Sequence, residues 1–233
     1  MLDDSTFTDH DVIQLNREIT FVKINGTEDT ILTKAYGIAV YPTVVLLNKN
    51  GEEIDRILGF EPPVEFLNTI ELYRQGKETL RDYLARFEAS PDSVELIFTI
   101  AEKYEGRSEL EEARNYYLML LEKDKANESG YADESLHSLS WLAYRDKDFQ
   151  GAITWEEKLI EQFPSSEKVE DAHTYIPYYY SKWAAYEKDQ GNARNASSLR
   201  KKAIELYNGF LEKYPESDEV EWVNEQIEKL KES

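Results

Sequence analysis

The chain has 233 residues and a formal net charge of −20, which arises from 47 acidic and 27 basic residues. This charge would repel phosphate backbones, so nucleic acid is not an expected partner. The absence of cysteine excludes disulfides, thiolate metal sites and a cysteine nucleophile within these residues.

The first 75 residues alternate between strand and helix patterns. Thr20–Asn25 alternates with period two, and Thr43–Asn48 is apolar on both faces, as a strand covered on both sides must be. The Asn50-Gly51 pair is typical of a hairpin turn, so it predicts antiparallel pairing of the second strand with Glu53–Leu58. Helices are predicted at about 9–18, 29–36 and 63–74.

The pattern changes after a single bridging helix, which is predicted near 77–88. From Ser90 onwards the chain reads as helix after helix, and Ser90-Pro91 predicts an N-cap followed by proline at the first helical position. Apolar residues then recur on one helix face, at Val94, Ile97, Phe98, Ala101 and Tyr104. A unit of two helices follows and is then repeated.

Three second helices align without gaps on Ala113, Ala152 and Ala203. Each places a small residue where two helices would cross closely and a large residue three or four positions later. The last two helices run into Phe163-Pro164 and Tyr214-Pro215, where proline stops a helix. The three aligned segments therefore predict stacked helical hairpins.

This repeat resembles the tetratricopeptide family, since Tyr104 also lies nine residues before Ala113 as in that family's pattern. The units lie near 94–127, 133–166 and 170–216. In the third unit, the turn at Gly191 lies twelve residues before Ala203, which predicts that both helices are two turns longer. An amphipathic segment at 218–231 is predicted to cap the array.

The tetratricopeptide resemblance implies a protein partner bound along a concave surface lined by first helices. Packing between repeats is the alternative role for Trp141 and Tyr144. The surface lacks the Lys and Asn cluster with which some family members clamp a terminal carboxylate, so a chaperone-tail adaptor is not expected. The transferred groove positions are Glu95, Phe98, Glu102, Glu134, His137, Trp141, Tyr144, Arg145, Tyr178, Ser181 and Lys188.

Residues 5–75 resemble the later part of a thioredoxin domain. The resemblance implies that Pro42 is cis and that the loop Tyr41-Pro42-Thr43 contacts an extended peptide; an ordinary trans proline is the alternative. The family's Cys-x-x-Cys motif and the strand before it are absent, and residues 1–7 match the part just after that motif. We therefore expect a start placed inside a longer protein. The residues that carry the resemblance are Phe21–Asn25, Ala35–Ile38, Tyr41–Leu47, Asn50-Gly51 and Gly59-Phe60.

Together these patterns predict an α/β thioredoxin-like partial domain at 1–75, a bridge at 76–89, and an all-α tetratricopeptide-like array with a capping helix at 90–233. The first functional hypothesis is part of a thiol–disulfide oxidoreductase acting in cell redox homeostasis, with the repeats binding a protein partner. The alternative is a non-catalytic interaction scaffold or adaptor. No catalytic residue is predicted, because the sequence contains no cysteine, and no cofactor is predicted. No metal is predicted either, because the three histidines are dispersed and show no ligand spacing.

No apolar run approaches the roughly 20 residues that cross a bilayer. The composition is that of a soluble protein of bacterial type, and we expect no membrane partner. The acidic opening lacks the basic and apolar regions of a secretory signal, so the localisation stays unassigned.

Overall fold

A computed structural model describes Leu2 and residues 4–232. Residues 1 and 3, which belong to the opening discussed above, lie outside the described residues. The chain is mostly helical, with one small sheet. Its elements are α1 His10–Gln14, α2 Thr30–Ala35, β1 Thr43–Leu47, β2 Glu53–Leu58, α3 Pro63–Arg74, α4 Leu80–Ala89, α5 Val94–Gly106, α6 Leu110–Lys123, α7 Ala132–Arg145, α8 Phe149–Gln162, α9 Lys168–Asp189, α10 Ala193–Lys213 and α11 Val220–Glu232.

The two strands form the predicted antiparallel hairpin, in a register that pairs Thr43 with Leu58. At the turn, the N–H of Gly51 donates to the carbonyl of Asn48 over 3.0 Å. Gly51 has a φ of 80°, a conformation that glycine adopts without steric cost. Local turn chemistry therefore accounts for the sheet.

The predicted strand at Thr20–Asn25 is wrong: this segment is irregular, and Val22 is 74% exposed. Within the described residues the sheet contains two strands, so the thioredoxin-like sheet expected from the resemblance is not shown. A period-two pattern forms a strand only where a neighbouring strand satisfies its backbone groups. β1 pairs with β2 instead.

The chain divides into two compact units, the first ending at Tyr116 and the second beginning at Tyr117. In the first unit, α1 and α3 pack on the hairpin through the buried residues Val12, Ile57 and Phe66. The rings of Phe7 and Phe66 pack edge to face, with their centroids 5.7 Å apart. One apolar cluster thus holds the α/β part together.

A buried ion cluster joins the hairpin to α4 and α5 within the first unit. Asp55 of β2 is 1% exposed, and its Oδ2 accepts the backbone N–H of Leu80 over 2.6 Å. Two cations of the α5 region complete the cluster: Lys103 Nζ lies 3.1 Å from Oδ2, and an Arg107 guanidinium nitrogen lies 3.1 Å from Oδ1. The start of the bridging helix α4 is therefore hydrogen-bonded directly to β2.

Helix α5 begins three residues later than Ser90-Pro91 would place it. Its N-cap is Ser93, whose side chain accepts the backbone N–H of Leu96. Ser90 instead ends α4, where its own N–H donates to the carbonyl of Arg86. The predicted cap is corrected because the preceding helix already uses Ser90.

In the second unit, successive helices from α7 to α11 pack against one another. Ala152 and Ala203 are fully buried, as the aligned register predicted. Helices α9 and α10 contain 22 and 21 residues, against 14 each for α7 and α8, which confirms the two additional turns. The predicted succession of helices, each packed on the next, is therefore confirmed for α7 to α11.

The helix ends also follow the sequence. Phe163 and Tyr214, each followed by proline, are the C-caps of α8 and α10. The last helix, α11, packs Val223 and Ile227 into a cluster with Phe210. None of the described helices combines the length and apolar character needed to cross a membrane.

Candidate functional site

The second unit contains a groove of about 600 Å³ between α7, α9 and the start of α11. Its walls combine aromatic rings with charged side chains from three separate elements. The residues that line it are Glu134, His137, Trp141, Lys168, Asp171, Thr174, Tyr175, Tyr178, Glu219 and Trp222.

Helical periodicity explains why these side chains face the same space. On α7, Glu134, His137 and Trp141 are spaced by three and four residues, so they share one face. Another face of α7 is apolar and carries the buried Leu136 and Leu139. Burial of the apolar face orients the polar and aromatic face towards the groove.

A buried polar cluster lies behind the groove wall. Glu156 of α8 is 0% exposed, and its Oε1 lies 3.0 Å from Nδ1 of His137. The hydroxyl of Ser140 contacts the same carboxylate oxygen and lies 3.0 Å from the hydroxyl of Tyr179. These contacts connect the groove residue His137 to the centre of the helical array.

The electrostatics of this cluster shift His137 towards its protonated form. Burial opposes the charged form of His137, but the hydrogen bond and the charge of Glu156 outweigh it, so the pKa of His137 is raised. The smaller effects of Lys168 and Glu134 oppose each other. The folded chain therefore binds a proton at His137 more tightly than the unfolded chain does.

This raised pKa predicts a pH-dependent stability. The contribution of His137 should be complete below its ordinary pKa of 6.5 and should be lost as the pH rises through its higher folded value. We expect the melting temperature of the wild type to exceed that of His137→Gln by more in mildly acidic than in alkaline buffer. Calorimetry of both proteins across this pH range measures the difference.

A second histidine, His173, also has a shifted pKa, but it does not affect the comparison. Its pKa is lowered by burial and by the charge of Lys213, so it produces an opposite slope. Because His173 is present in both proteins, its effect cancels in their difference. A difference between wild type and His137→Gln that does not vary with pH would contradict the prediction.

Only some of the charged side chains that line the groove form ion pairs within the described residues. Lys168 Nζ lies 2.8 Å from Glu134, and this pair is partly exposed. Asp171 and Glu219 are exposed, and within the described part of the chain neither side chain forms an ion pair. The lining thus contains three carboxylates and one ammonium group.

The structure brings together four of the groove positions named from the sequence, Glu134, His137, Trp141 and Tyr178. Trp141 is 36% exposed, so it is not simply packing between helices. Tyr144 is half-buried beside the groove, where its ring contacts those of Trp141 and Tyr178 with the centroids 5.2 and 5.7 Å away. Its position fits the packing alternative.

The remaining named positions lie elsewhere. Glu95, Phe98 and Glu102 are in the first unit, and Phe98 is 8% exposed within the apolar interior. Ser181 is in the second unit and does not line the groove. Arg145 and Lys188 are in the second unit but are not among the residues that line the groove. The groove positions carried over from the tetratricopeptide resemblance therefore include residues that line this groove, but they also include residues that lie outside it.

Sequence reasoning missed five lining residues that carry charge or an aromatic ring. They lie in the first half of α9 and at the start of α11. The spacing of Lys168, Asp171, Tyr175 and Tyr178 by three and four residues was the available signal, since it places them on one helix face. The missed residues are Lys168, Asp171, Tyr175, Glu219 and Trp222.

The loop at Tyr41-Pro42-Thr43 lies in the first unit. The peptide bond between Tyr41 and Pro42 is cis, and the Tyr41 side chain is exposed. The hydroxyl of Thr43 donates to the carbonyl of Val40 over 2.7 Å. Its peptide-contacting role stays a prediction.

Among the described residues, no group of three or more His, Asp or Glu side chains could hold a metal ion.

Comparison with known proteins assigns no family. No protein-family model matches the chain. No curated protein matches it. Among solved structures, 48 chains match; one is described as "Crystal structure of MamA", with a TM-score of 0.42, 15% identity, and coverage of 75% of this chain and 95% of that chain. The helical-hairpin architecture described above rests on the contacts of the chain itself.

Proposed function

We propose that this chain is a non-catalytic interaction scaffold, whose second unit binds an extended segment of a protein partner. The observation that carries the proposal is the groove, in which aromatic and charged side chains from three helical elements converge and Trp141 is 36% exposed. Aromatic side chains are enriched at the centres of protein interfaces. We also propose that α7 to α10 are tetratricopeptide-like hairpins.

The oxidoreductase hypothesis receives no comparable support. The 233 residues contain no cysteine, and the described sheet has two strands rather than a thioredoxin-like set. The loop at Tyr41-Pro42-Thr43 is kept as a proposed second peptide contact, because Tyr41 is exposed.

Peptide display on the full chain tests the scaffold function. Peptides selected by the wild type should lose about 2 kcal/mol or more of binding free energy when Trp141 and Trp222 are both replaced by alanine. The matched control is Tyr186→Ala, which truncates an exposed aromatic residue outside the groove lining. Selected peptides that bind wild type and the double variant equally would overturn the assignment of the groove.

A further inference from the structure

We infer that the occupant of the groove is a basic protein segment that places an arginine or lysine side chain among the groove's aromatic rings. This inference rests on the proposed function and specifies the chemistry of the partner. It follows from two properties of the lining, its excess of carboxylates over ammonium groups and its aromatic side chains.

The carboxylates are the first property. Lys168 pairs with Glu134, which leaves Asp171 and Glu219 without an ion pair among the described residues. They come from different elements, the first turn of α9 and the residue before α11, and the fold brings both to one groove. A bound anion or a phosphorylated segment would be repelled there, whereas a cation would be attracted.

The aromatic rings are the second property. Four of them line the groove, and Lys182 Nζ already lies 4.8 Å from the ring centroid of Tyr178. Of the other three, Tyr175 is already in edge contact with the imidazole of His137, with the ring centroids 4.7 Å apart, and Trp141 is the most exposed, at 36%. A guanidinium or ammonium group is attracted to the face of such a ring, and most strongly to tryptophan.

These two properties together distinguish a basic segment from a purely apolar one. An apolar segment would cover the rings but would also remove water from Asp171 and Glu219 without compensation, which is unfavourable. A basic segment contacts the rings and supplies the counter-charge in the same step. The net charge of −20 also attracts cationic partners over a distance and favours fast association.

The test measures fluorescence anisotropy of labelled peptides with the full chain. The probe is an Arg-Gly-Ser repeat peptide, and the comparison peptides replace each arginine with citrulline, its neutral isostere, or with glutamate. We expect the arginine peptide to bind at least about tenfold more tightly than the citrulline peptide, and more weakly as salt is added. Equal binding of the arginine and citrulline peptides, or tighter binding of the glutamate peptide, overturns the inference.

Matched variants separate the groove from general charge attraction. The double variant Asp171→Asn with Glu219→Gln should weaken arginine-peptide binding by about tenfold or more. The control, Glu170→Gln with Glu221→Gln, removes the same charge from the same two helix starts, but neither residue lines the groove. An equal loss in both double variants overturns the inference, and melting curves verify that each variant is folded.

The display experiment keeps the two proposals distinguishable. If selected peptides require Trp141 and Trp222 but are neutral or acidic, the scaffold function stands and the basic occupant is wrong. If the arginine peptide binds without any dependence on Trp141, Trp222, Asp171 or Glu219, the groove is not the binding surface and both proposals fail.

Discussion

Replacing Asp55 with asparagine should destabilise the first unit by about 3 kcal/mol, because the substitution leaves the largely buried Lys103 without its counter-ion and removes one of the two carboxylates beside Arg107, the other being Glu53 at 3.5 Å. The Lys103 and Arg107 side chains are 16% and 13% exposed, so water compensates little of the lost charge. The side chain of asparagine has nearly the same shape, which limits the effect of a cavity. The expected change is therefore mainly electrostatic.

Two optical signals can locate this effect within the chain. All four tryptophans lie beyond Tyr117, in the second unit, so their fluorescence reports that unit alone. In urea, Asp55→Asn should shift the circular-dichroism transition to lower denaturant more than it shifts the tryptophan transition. The control is Glu18→Gln, which removes an exposed ion pair with Arg74 and should cost less than about 1 kcal/mol. Equal midpoints for Asp55→Asn and Glu18→Gln would refute the role of the buried cluster.

Replacing Tyr179 with alanine should destabilise the second unit by about 3–5 kcal/mol, the usual cost of deleting a buried aromatic side chain. Tyr179 is 0% exposed, and its ring lies 5.3 Å from that of Tyr144 and 5.9 Å from those of Tyr175 and Tyr178. Its removal leaves a cavity among these rings, two of which line the groove.

The phenylalanine variant separates packing from hydrogen bonding at this position. Tyr179→Phe keeps the ring but loses the 3.0 Å contact with the hydroxyl of Ser140, so it should cost about 1 kcal/mol. Tryptophan fluorescence in urea measures both changes, and the exposed Tyr186→Ala serves as the surface control. If Tyr179→Ala and Tyr186→Ala had the same midpoint, the ring cluster would not be the core of this unit.

Several features of the fold depend on short-range chemistry and could be predicted from the sequence. The hairpin follows from Asn50-Gly51, because the turn needs a residue that adopts positive φ at low cost. The ends of α8 and α10 follow from the prolines after Phe163 and Tyr214. The greater length of α9 and α10 follows from the distance between Gly191 and Ala203. Each signal acts within a few helical turns.

Only the tertiary structure decided the features that depend on distant partners. The alternating pattern of Thr20–Asn25 is compatible with a strand, but among the described residues no strand lies beside it to accept its hydrogen bonds. The ion pair of Asp55 with Lys103 joins residues 48 positions apart, which no local pattern reveals.

The groove combines both kinds of information. Helical spacing placed His137, Trp141 and Tyr178 on inward-facing positions, because periodicity is a local property of the chain. The carboxylates that complete the surface come from the ends of α9 and α11, and their convergence depends on how whole helices pack. The sequence by itself therefore determined the helices and their faces. Packing between helices decided which of those faces meet around one cavity.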